Sequence, residues 1–437
     1  MRVTDAESII TTTDLLPPIP AAPTREERQR LQAVGRRVLV VCQTFPPDPA
    51  AVGQCVADVC ETLASRGAAV SVIAANRGYH DPSMRFAARA SHASVDVHRV
   101  SVGSFGKTSL VTRLVGSLLF VANATVRGLV GRRPDVILVS TVPPMAPLAA
   151  LVVAALRRST VVHWLMDLNP DQAIAAGLVR RSSINARLLD WLNCRVLRRC
   201  QTLIVLDAQM AERFTAKTQT SARLLVIPPW GGITKAVNRD PSETAFRAAN
   251  GLLDRFVVMY SGNHSLVHPL ETLLDAAEQM QDDPRFVFVF VGDGHGKTSV
   301  EDRGLPNVVS LPYQPRETLA DSLSAADLHV VTMGDNMVGV VHPSKIYGVL
   351  AVGRPVLFIG PATSHVAEIV KNHRLGWSLR HGDVDGVTAA LRSAVEQTPA
   401  ERATVSGRAR AALEQAFDPS ILRERVADAV LEAISRR

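Results

Sequence analysis

The sequence predicts an α/β protein made of two Rossmann-like doubly wound domains that face a cleft. At 437 residues, 47% of them hydrophobic, the chain is too long for one ordinary core. Two regions alternate short apolar runs, typical of buried parallel strands, with helical patterns. A polar linker at 229–245 separates them. Ligands of such sheets bind beyond the carboxyl ends of the strands, so we expect the site in those loops.

The first domain is predicted to span residues 36–228, after a flexible, proline-rich leader at 1–35. It opens with the strand RRVLVVCQ, the loop FPPDPAAVGQ, the helix VADVCETLASRG and the strand AAVSVIAA. The apolar runs VDVHRV, PDVILVS, TVVHWLM, QTLIVLD and LLVIPP predict further strands. The segments PPMAPLAALVVAALRR and INARLLDWLNCRVLRRC lie between strands and have helical spacing. This alternation predicts parallel strands joined by helices.

The second domain is predicted at residues 246–417. Its strands are FVVMYSG, FVFVFVGDG, VVSLPY, DLHVVTM and PVLFIG, with helices such as ETLLDAAEQM and RETLADSLSAA between them. We expect the last helix, 418–437, to pack back on the first domain.

The amino-acid composition limits the classes of partner that we expect this protein to bind. The net charge of +7 suits anionic substrates or anionic lipid, and no nucleic-acid motif accompanies it. Five cysteines without a C-x-x-C pair predict no metal site. No signal peptide and no run of about 20 apolar residues is visible. We therefore expect a cytoplasmic protein, with peripheral contact at the anionic inner membrane as an option.

Two G-K-T-S strings do not fit a phosphate loop of nucleotide triphosphatases. That loop needs a glycine five residues before the glycine of Gly-Lys, and Ser101 and Val291 stand there. The first loop also lacks the G-x-G-x-x-G of a dinucleotide fold. ATPase and dehydrogenase functions are therefore disfavoured.

The stretch VVHPSKIYGVLAVGRPVLFIGP, residues 340–361, carries the main functional signal. Pro343 suits a first helical turn, Ser344 can cap its N–H groups, and Gly353 suits the helix end. Lys345 beside a helix N-terminus is a ready site for phosphate. We interpret this stretch as a pocket for a nucleotide diphosphate.

From Arg36 onward the chain resembles retaining glycosyltransferases of the GT-B fold, family 4, in particular bacterial sugar transferases of exopolysaccharide and O-antigen assembly. The resemblance rests on the order and spacing of FPPDPAAVGQ, WLMDLNPDQAIAAG, VIPPW, YSGNHSLVHPLETLLDAA, FVGDG and HPSKIYGVLAVGRPV. It implies a nucleotide-sugar donor, UDP-sugar before GDP-sugar, in the second domain. It also implies a glycan or polyprenyl-linked acceptor in the first domain and no required metal or other cofactor.

The resemblance implies donor-binding roles for several residues besides Lys345 and Ser344. Relatives often carry Arg and Lys where this chain has Asn263 and His268. The turn of Gly292, Asp293 and Gly294 follows a strand, where relatives face the nucleotide, although a plain tight turn is nearly as consistent.

The first loop and the ribose site are less well defined. Gly53 could let backbone approach the donor phosphates. The family's E-x7-E falls on Val340 and Gly348, which cannot accept hydrogen bonds through side chains. Ribose would then be held by backbone or by Tyr347.

In the first domain, VVHWLMDLNPDQAIAAG puts His163, Asp167 and Asp171 at and after a strand end. We expect Asp167 to matter most, since carboxylates can orient the acceptor while the leaving phosphate takes its proton. His163 is equally consistent with a core histidine.

The segment Ser109–Arg133 has apolar residues at helical spacing and four arginines. It suits either a membrane interface or a helix packed on its own sheet.

The predicted reaction is transfer of a hexose or N-acetylhexosamine from a nucleotide sugar to a glycan or lipid-linked acceptor in cell-surface polysaccharide or glycolipid synthesis. Two alternatives stay open: a noncatalytic GT-B protein that binds a sugar nucleotide or a partner, and a nucleotide-sugar 2-epimerase.

Overall fold

A computed structural model describes residues 33–79, 81–101, 110–218, 220–233 and 235–435. Most of the predicted leader, residues 1–32, therefore lies outside the described residues. Ala33 is buried, and its N–H donates to the carbonyl of Arg66 at 3.3 Å, so the folded part includes the last leader residues.

The first sheet has eight strands in the order β3-β4-β2-β1-β5-β6-β7-β8. All neighbours are parallel except β3 and β4. The inner strands β1, β5, β6 and β7 are buried over nearly their whole length, as expected for a parallel sheet covered on both faces. The strands are β1 (Arg37–Val41), β2 (Ala69–Ala75), β3 (Arg89–His92), β4 (Val95–Val100), β5 (Val136–Ser140), β6 (Thr160–Trp164), β7 (Thr202–Val205) and β8 (Arg223–Val226).

Helices cover both faces of this sheet. Those that precede the second domain are α1 (Ala51–Ser65), α2 (Leu110–Val130), α3 (Ala146–Arg157), α4 (Asp171–Ala175), α5 (Ile184–Leu197) and α6 (Ala208–Lys217). The predicted helix at Ser109–Arg133 is thus present as α2, with Ser109 outside the described residues.

The second sheet has six parallel strands in the order β11-β10-β9-β12-β13-β14. They are β9 (Phe256–Ser261), β10 (Phe286–Val291), β11 (Val308–Leu311), β12 (Leu328–Thr332), β13 (Val356–Ile359) and β14 (Gly376–Leu379). Apolar clusters on its two faces bind helices α7 (Ala245–Asn250), α8 (Glu271–Gln279), α9 (Lys297–Asp302), α10 (Leu319–Ser324), α11 (Lys345–Val352), α12 (His365–Asn372), α13 (Val384–Val395) and α14 (Pro399–Ala416).

The last helix, α15 (Pro419–Ser435), returns to the first sheet. Leu422, Val426 and Val430 belong to the apolar core of the first domain, and α15 contacts α1 and strands β5 to β7. Arg66 of α1 forms ion pairs with Asp428, at 2.6 Å, and with Glu424.

The prediction of two doubly wound α/β domains is confirmed. Backbone and side chains join the domains at several points. The N–H of Leu168, after β6, donates to the carbonyl of Val340 at 3.0 Å. The side-chain amide of Gln209, on α6, donates to the carboxylate of Glu368, on α12, at 2.7 Å. Trp230, just after the first sheet, packs on the first domain: it is buried against Trp164, and its indole N–H donates to Asp58 at 2.7 Å.

Candidate active site

Helix α11 begins at the cleft with Lys345, as predicted. The predicted capping role of Ser344 is wrong, because its side chain makes no capping hydrogen bond. The backbone of Ser344 is already helical, at φ −65° and ψ −9°, whereas a capping serine needs an extended backbone.

The side chain of Lys345 crosses the end of β9. Its ammonium lies 5.2 Å from the centre of the Tyr260 ring, and its stem covers Gly262, where any Cβ would collide with it. Within the part of the chain that the structure describes, no carboxylate lies within 4 Å of this ammonium. Burial lowers the Lys345 pKa to about 7. The site thus holds a partly buried cation that lacks a counter-ion.

Two glycine turns form the floor of this site. Gly262 after β9 and Gly292 after β10 have φ values of 141° and 143°, which favour glycine. A Cβ on Gly292 would overlap the carbonyl oxygen of Gly262, so the two turns are packed backbone to backbone. The N–H of His264 donates to the carbonyl of Asp293 at 2.9 Å and ties the turns together.

The two polar side chains of these turns, Asn263 and Asp293, make different contacts. The side-chain amide of Asn263 lies against Gly294, whereas its backbone carbonyl accepts from the Tyr260 hydroxyl at 2.8 Å. Asp293 is exposed, and its carboxylate accepts the N–H of Gly294 at 2.8 Å.

Two histidines surround the lysine. His268 contacts the carbonyl of Thr332 through Nδ1 at 2.7 Å, so Nδ1 carries the proton. His264 is fully buried, and neither ring nitrogen has a partner among the described residues. Burial and the Lys345 charge lower both histidine pKa values, that of His264 to about 4. His264 is not among the predicted site residues, and it lies against Gly294 in the floor of the site.

The surroundings of Tyr347 do not support the predicted role at a ribose. Its side chain is 1% exposed, and its hydroxyl lies 2.8 Å from Nε2 of His342. Nδ1 of the same histidine lies 2.7 Å from the carboxylate of Asp207, in the first domain. Tyr347 therefore belongs to a buried polar chain between the domains, away from the cleft surface.

The two positions of the missing family glutamates are also buried. Val340 is 0% exposed, and its carbonyl is the acceptor for Leu168. Gly348 lies in the core, where a Cβ would be 3.1 Å from the side chain of Leu323. Neither position faces an open pocket.

Asp167 lies in the loop after β6, one residue before the contact between Leu168 and Val340. It is partly buried, and burial raises its pKa to about 6. Among the residues described, no lysine, arginine or histidine nitrogen lies within 4 Å of its carboxylate. A carboxylate without a cation partner therefore stands at the domain junction.

The predicted catalytic roles of Asp171 and His163 are not supported by their surroundings. Asp171 is 9% exposed and forms ion pairs with Lys217 and with Arg213, the latter at 3.6 Å. His163 lies inside β6 and is 2% exposed, and burial lowers its pKa to about 3. It is therefore a neutral core histidine that substrates do not reach.

Gly53 is needed for internal packing. A Cβ there would lie 2.9 Å from the backbone carbon of Thr44, so the first loop of the chain occupies the space beside it.

A cleft of about 410 Å³ opens beside this junction. Helices α4 and α6 of the first domain and the loop after β12 line it, through Ile174, Ala175, Arg213, Asp335, Asn336 and Val338.

Both domains match known families. Residues 50–230 match the glycosyl transferase 4-like domain, and residues 255–397 match glycosyl transferases group 1. Over 354 residues the chain is 26% identical to a probable glycosyltransferase, WbjE, of Pseudomonas aeruginosa, covering 78% of this chain and 86% of that protein. It is 24% identical over 379 residues to the putative colanic acid biosynthesis glycosyl transferase WcaI of Escherichia coli, covering 82% and 92%.

The fold agrees with solved structures. The structure of Anabaena Alr3699/HepE in complex with UDP-glucose superimposes with a TM-score of 0.65 at 18% identity, over 92% of this chain and 100% of that one. The two matched domains, their two parallel sheets and this likeness agree with one another. The chain therefore belongs to the glycosyltransferases of the GT-B fold.

Proposed function

We propose that this protein transfers a hexose or N-acetylhexosamine from a UDP-sugar to a glycan or polyprenyl-linked acceptor in cell-surface polysaccharide or glycolipid synthesis. The observation that carries the proposal is Lys345, a partly buried ammonium without a carboxylate partner in the described residues, at the start of α11. An anion of the size and charge of a diphosphate would supply the missing counter-ion.

The diphosphate would lie over the two glycine turns. The absence of a Cβ leaves room for the Lys345 stem at Gly262 and lets the two turns pack backbone to backbone at Gly292, so Lys345 is held against the turns. Since burial lowers the Lys345 pKa to about 7 in the free protein, binding of the diphosphate would take up a proton near neutral pH. The protonated lysine would then stabilise the negative charge that grows on the leaving phosphate.

Asp167 would orient the acceptor hydroxyl. Its pKa of about 6 keeps most of it ionised at pH 7, so it can accept a hydrogen bond from that hydroxyl. The departing diphosphate would take the acceptor proton, which is the expectation for a transfer with retention of configuration. His163 and Asp171 have no part in this proposal.

The names of the relatives support the substrate class. WcaI is described as a colanic acid biosynthesis transferase, and the HepE structure contains UDP-glucose. Both fit a uridine nucleotide donor and a polysaccharide product.

The test is a binding and turnover panel with UDP, GDP, ADP and their common sugar conjugates. At a hundredfold excess over its dissociation constant, a ligand of the folded state stabilises it by about 2.7 kcal/mol. We expect thermal stabilisation by UDP and its sugars, followed by acceptor-dependent release of UDP. Stabilisation by none of the panel would reject the proposal.

A noncatalytic sugar-nucleotide-binding protein is the second candidate. It is favoured by Val340 and Gly348, because neither of these buried residues supplies a carboxylate at the family's ribose-binding position. Binding of UDP-sugar without UDP release under any acceptor would support it. Analysis of the sugar product would separate transfer from 2-epimerisation.

A further inference from the structure

One side of the first domain has an exposed surface that is both apolar and basic. Of the sixteen large apolar residues that are exposed in the described chain, eleven lie between residues 115 and 191. Ile184 and Val130 are 82% and 83% exposed, and Trp191 is 54% exposed. A cluster of this kind on a globular protein marks an interaction site.

All of these residues except Leu178 belong to three helices that lie side by side. The connections from β4 to β5, β5 to β6 and β6 to β7 run in one direction along the sheet, so right-handed crossovers put α2, α3 and α5 on one face. Helix α3 contacts both α2 and α5. The opposite face is covered by α1 and α15. We name the exposed side the α2–α3–α5 face.

The positive charge of the chain is concentrated in the same segment. Residues 110–200 contain twelve arginines, four aspartates and no lysine or glutamate, a net charge of +8. The whole chain has a net charge of +7, so the remainder carries −1. Ten of these arginines are exposed: Arg127, Arg132, Arg133, Arg158, Arg180, Arg181, Arg187, Arg195, Arg198 and Arg199.

The aspartates of the segment do not neutralise this face. Asp171 and Asp190 both pair with Lys217, Asp135 accepts the backbone N–H of Arg37, and Asp167 is partly buried in the loop after β6. None of the segment's arginines whose side chains are described forms an ion pair with a described carboxylate. Arg195 instead lies over the Trp191 ring at 5.0 Å.

We propose that the α2–α3–α5 face docks on an anionic lipid surface. Arginines attract anionic headgroups, and an exposed tryptophan with apolar neighbours inserts at the boundary between headgroups and acyl chains. In the part of the chain that the structure describes, no helix is long and apolar enough to cross a bilayer. The contact is therefore peripheral, and it depends on both charge and apolar side chains.

Docking would bring the membrane close to the acceptor side of the cleft. The amide of Asn193, on α5, donates to the carbonyl of Asn169 at 2.6 Å, in the loop that carries Asp167. An acceptor that enters from the lipid surface would therefore arrive beside this loop. This last step rests on the proposed function, whereas docking itself does not.

The first experiment measures sedimentation of the full chain with vesicles of phosphatidylglycerol and phosphatidylcholine in equal parts, against pure phosphatidylcholine. It is run at about 0.01 M and about 1 M salt, where the Debye length is about 30 Å and about 3 Å. We expect binding to the anionic vesicles at low salt and strong weakening at high salt. Equal binding to both compositions, or to neither, would overturn the proposal.

Two sets of variants locate the contact. The double variant Arg181→Ser and Arg187→Ser is expected to lower the partition coefficient for anionic vesicles at least about tenfold. The reason is that each basic residue near an anionic surface contributes about 1 kcal/mol to binding. Its control is Arg255→Ser with Arg408→Ser, exposed arginines of the second domain that leave binding unchanged. Equal losses in both pairs would show that net charge alone drives binding and would reject the face.

The apolar set is Ile184→Ser, Leu188→Ser and Trp191→Ser in one chain. We expect at least about a tenfold loss, with Leu253→Ser, 50% exposed on the second domain, as the control. Since these side chains are exposed, UDP binding and thermal stability should stay near wild type. If the wild type is a dimer that the triple variant converts to a monomer, and vesicles bind neither, the face is a protein interface instead.

A measurement on the unmodified protein does not depend on the folding of variants. Trp164 and Trp230 are buried and Trp377 is only partly exposed, so Trp191 is the most exposed of the four tryptophans. Vesicles with brominated acyl chains should quench its fluorescence, and Trp191→Phe should remove most of that quenching. Absence of quenching while the protein is vesicle-bound would put the contact on another surface.

Discussion

Lys345→Met is the sharpest test of the donor site, because methionine keeps the apolar stem over Gly262 and Tyr260 and removes only the charge. A hydrogen bond to a charged group contributes about 1.5–3 kcal/mol, so the dissociation constant for UDP should rise at least about tenfold. The variant should also unfold at a higher temperature at pH 7, since it no longer buries a charge.

The pH dependence follows from the lowered pKa of Lys345, about 7 in the folded protein against about 10.4 in an unfolded chain. Between these values the unfolded state binds more protons, so the wild type gains stability as pH rises from about 7 to about 10. UDP affinity should fall between pH 7.5 and 9, because Lys345 in the free site loses the proton that gives it the charge to bind the diphosphate. Lys345→Met should show neither trend from this group.

Calorimetric titration with UDP at several pH values, with urea unfolding at the same values, measures both effects. Lys371→Met, at an exposed lysine of α12, is the matched control and should behave as wild type. Unchanged UDP affinity in Lys345→Met would show that the diphosphate binds elsewhere. A wild-type affinity that does not vary with pH would reject the lowered pKa.

The remaining predictions concern the junction. Asp167→Asn should lower turnover by at least about a hundredfold and leave the UDP dissociation constant within about twofold; full activity in steady-state assays would remove Asp167 from the mechanism. Asp171→Asn should lower the free energy of unfolding by about 1–3 kcal/mol through its lost ion pair with Lys217, with a much smaller effect on turnover than Asp167→Asn, as urea unfolding and kinetics would show. Tyr347→Phe should leave UDP affinity unchanged, whereas a weaker complex in calorimetry would restore its role at the ribose. His342→Phe, which strands two buried polar groups, should cost about 2–4 kcal/mol of stability in urea unfolding.

The strands that the sequence predicts correctly appear as apolar runs, and most of them are parallel and buried on both faces. Two of them, β8 with the sequence RLLV and β11 with VVSL, are partly buried edge strands that keep such a run. The two that it misses are edge strands. β3 has the sequence RASH and pairs antiparallel with β4, and β14 begins at Gly376 with only partial burial. The polar residues of β3, and the glycine and serine of β14, interrupt the apolar run that the other strands show.

The site residues also fall into two groups, those with a local signal in the sequence and those without one. Lys345 could be predicted because its cue is local, a lysine where a helix begins after a proline. The surroundings of Tyr347 and Asp171 could not be predicted because their partners come from distant segments. Tyr347 bonds His342, which in turn contacts Asp207, and Asp171 pairs with Lys217. No spacing along the chain records these pairings. The burial of the His264 ring, whose nitrogens have no partner among the described residues, is likewise visible only in three dimensions.

Helix α15 has a consequence for the order in which the protein forms during synthesis. Leu422, Val426 and Val430 complete the core of the first domain, yet the ribosome makes them after the whole second domain. At about 5–20 residues per second, the first sheet waits for about 10–40 s with part of its apolar surface uncovered. The nascent first domain is therefore the stage at which a chaperone would be most needed. The second sheet contributes no comparable delay, because its own helices follow its strands directly.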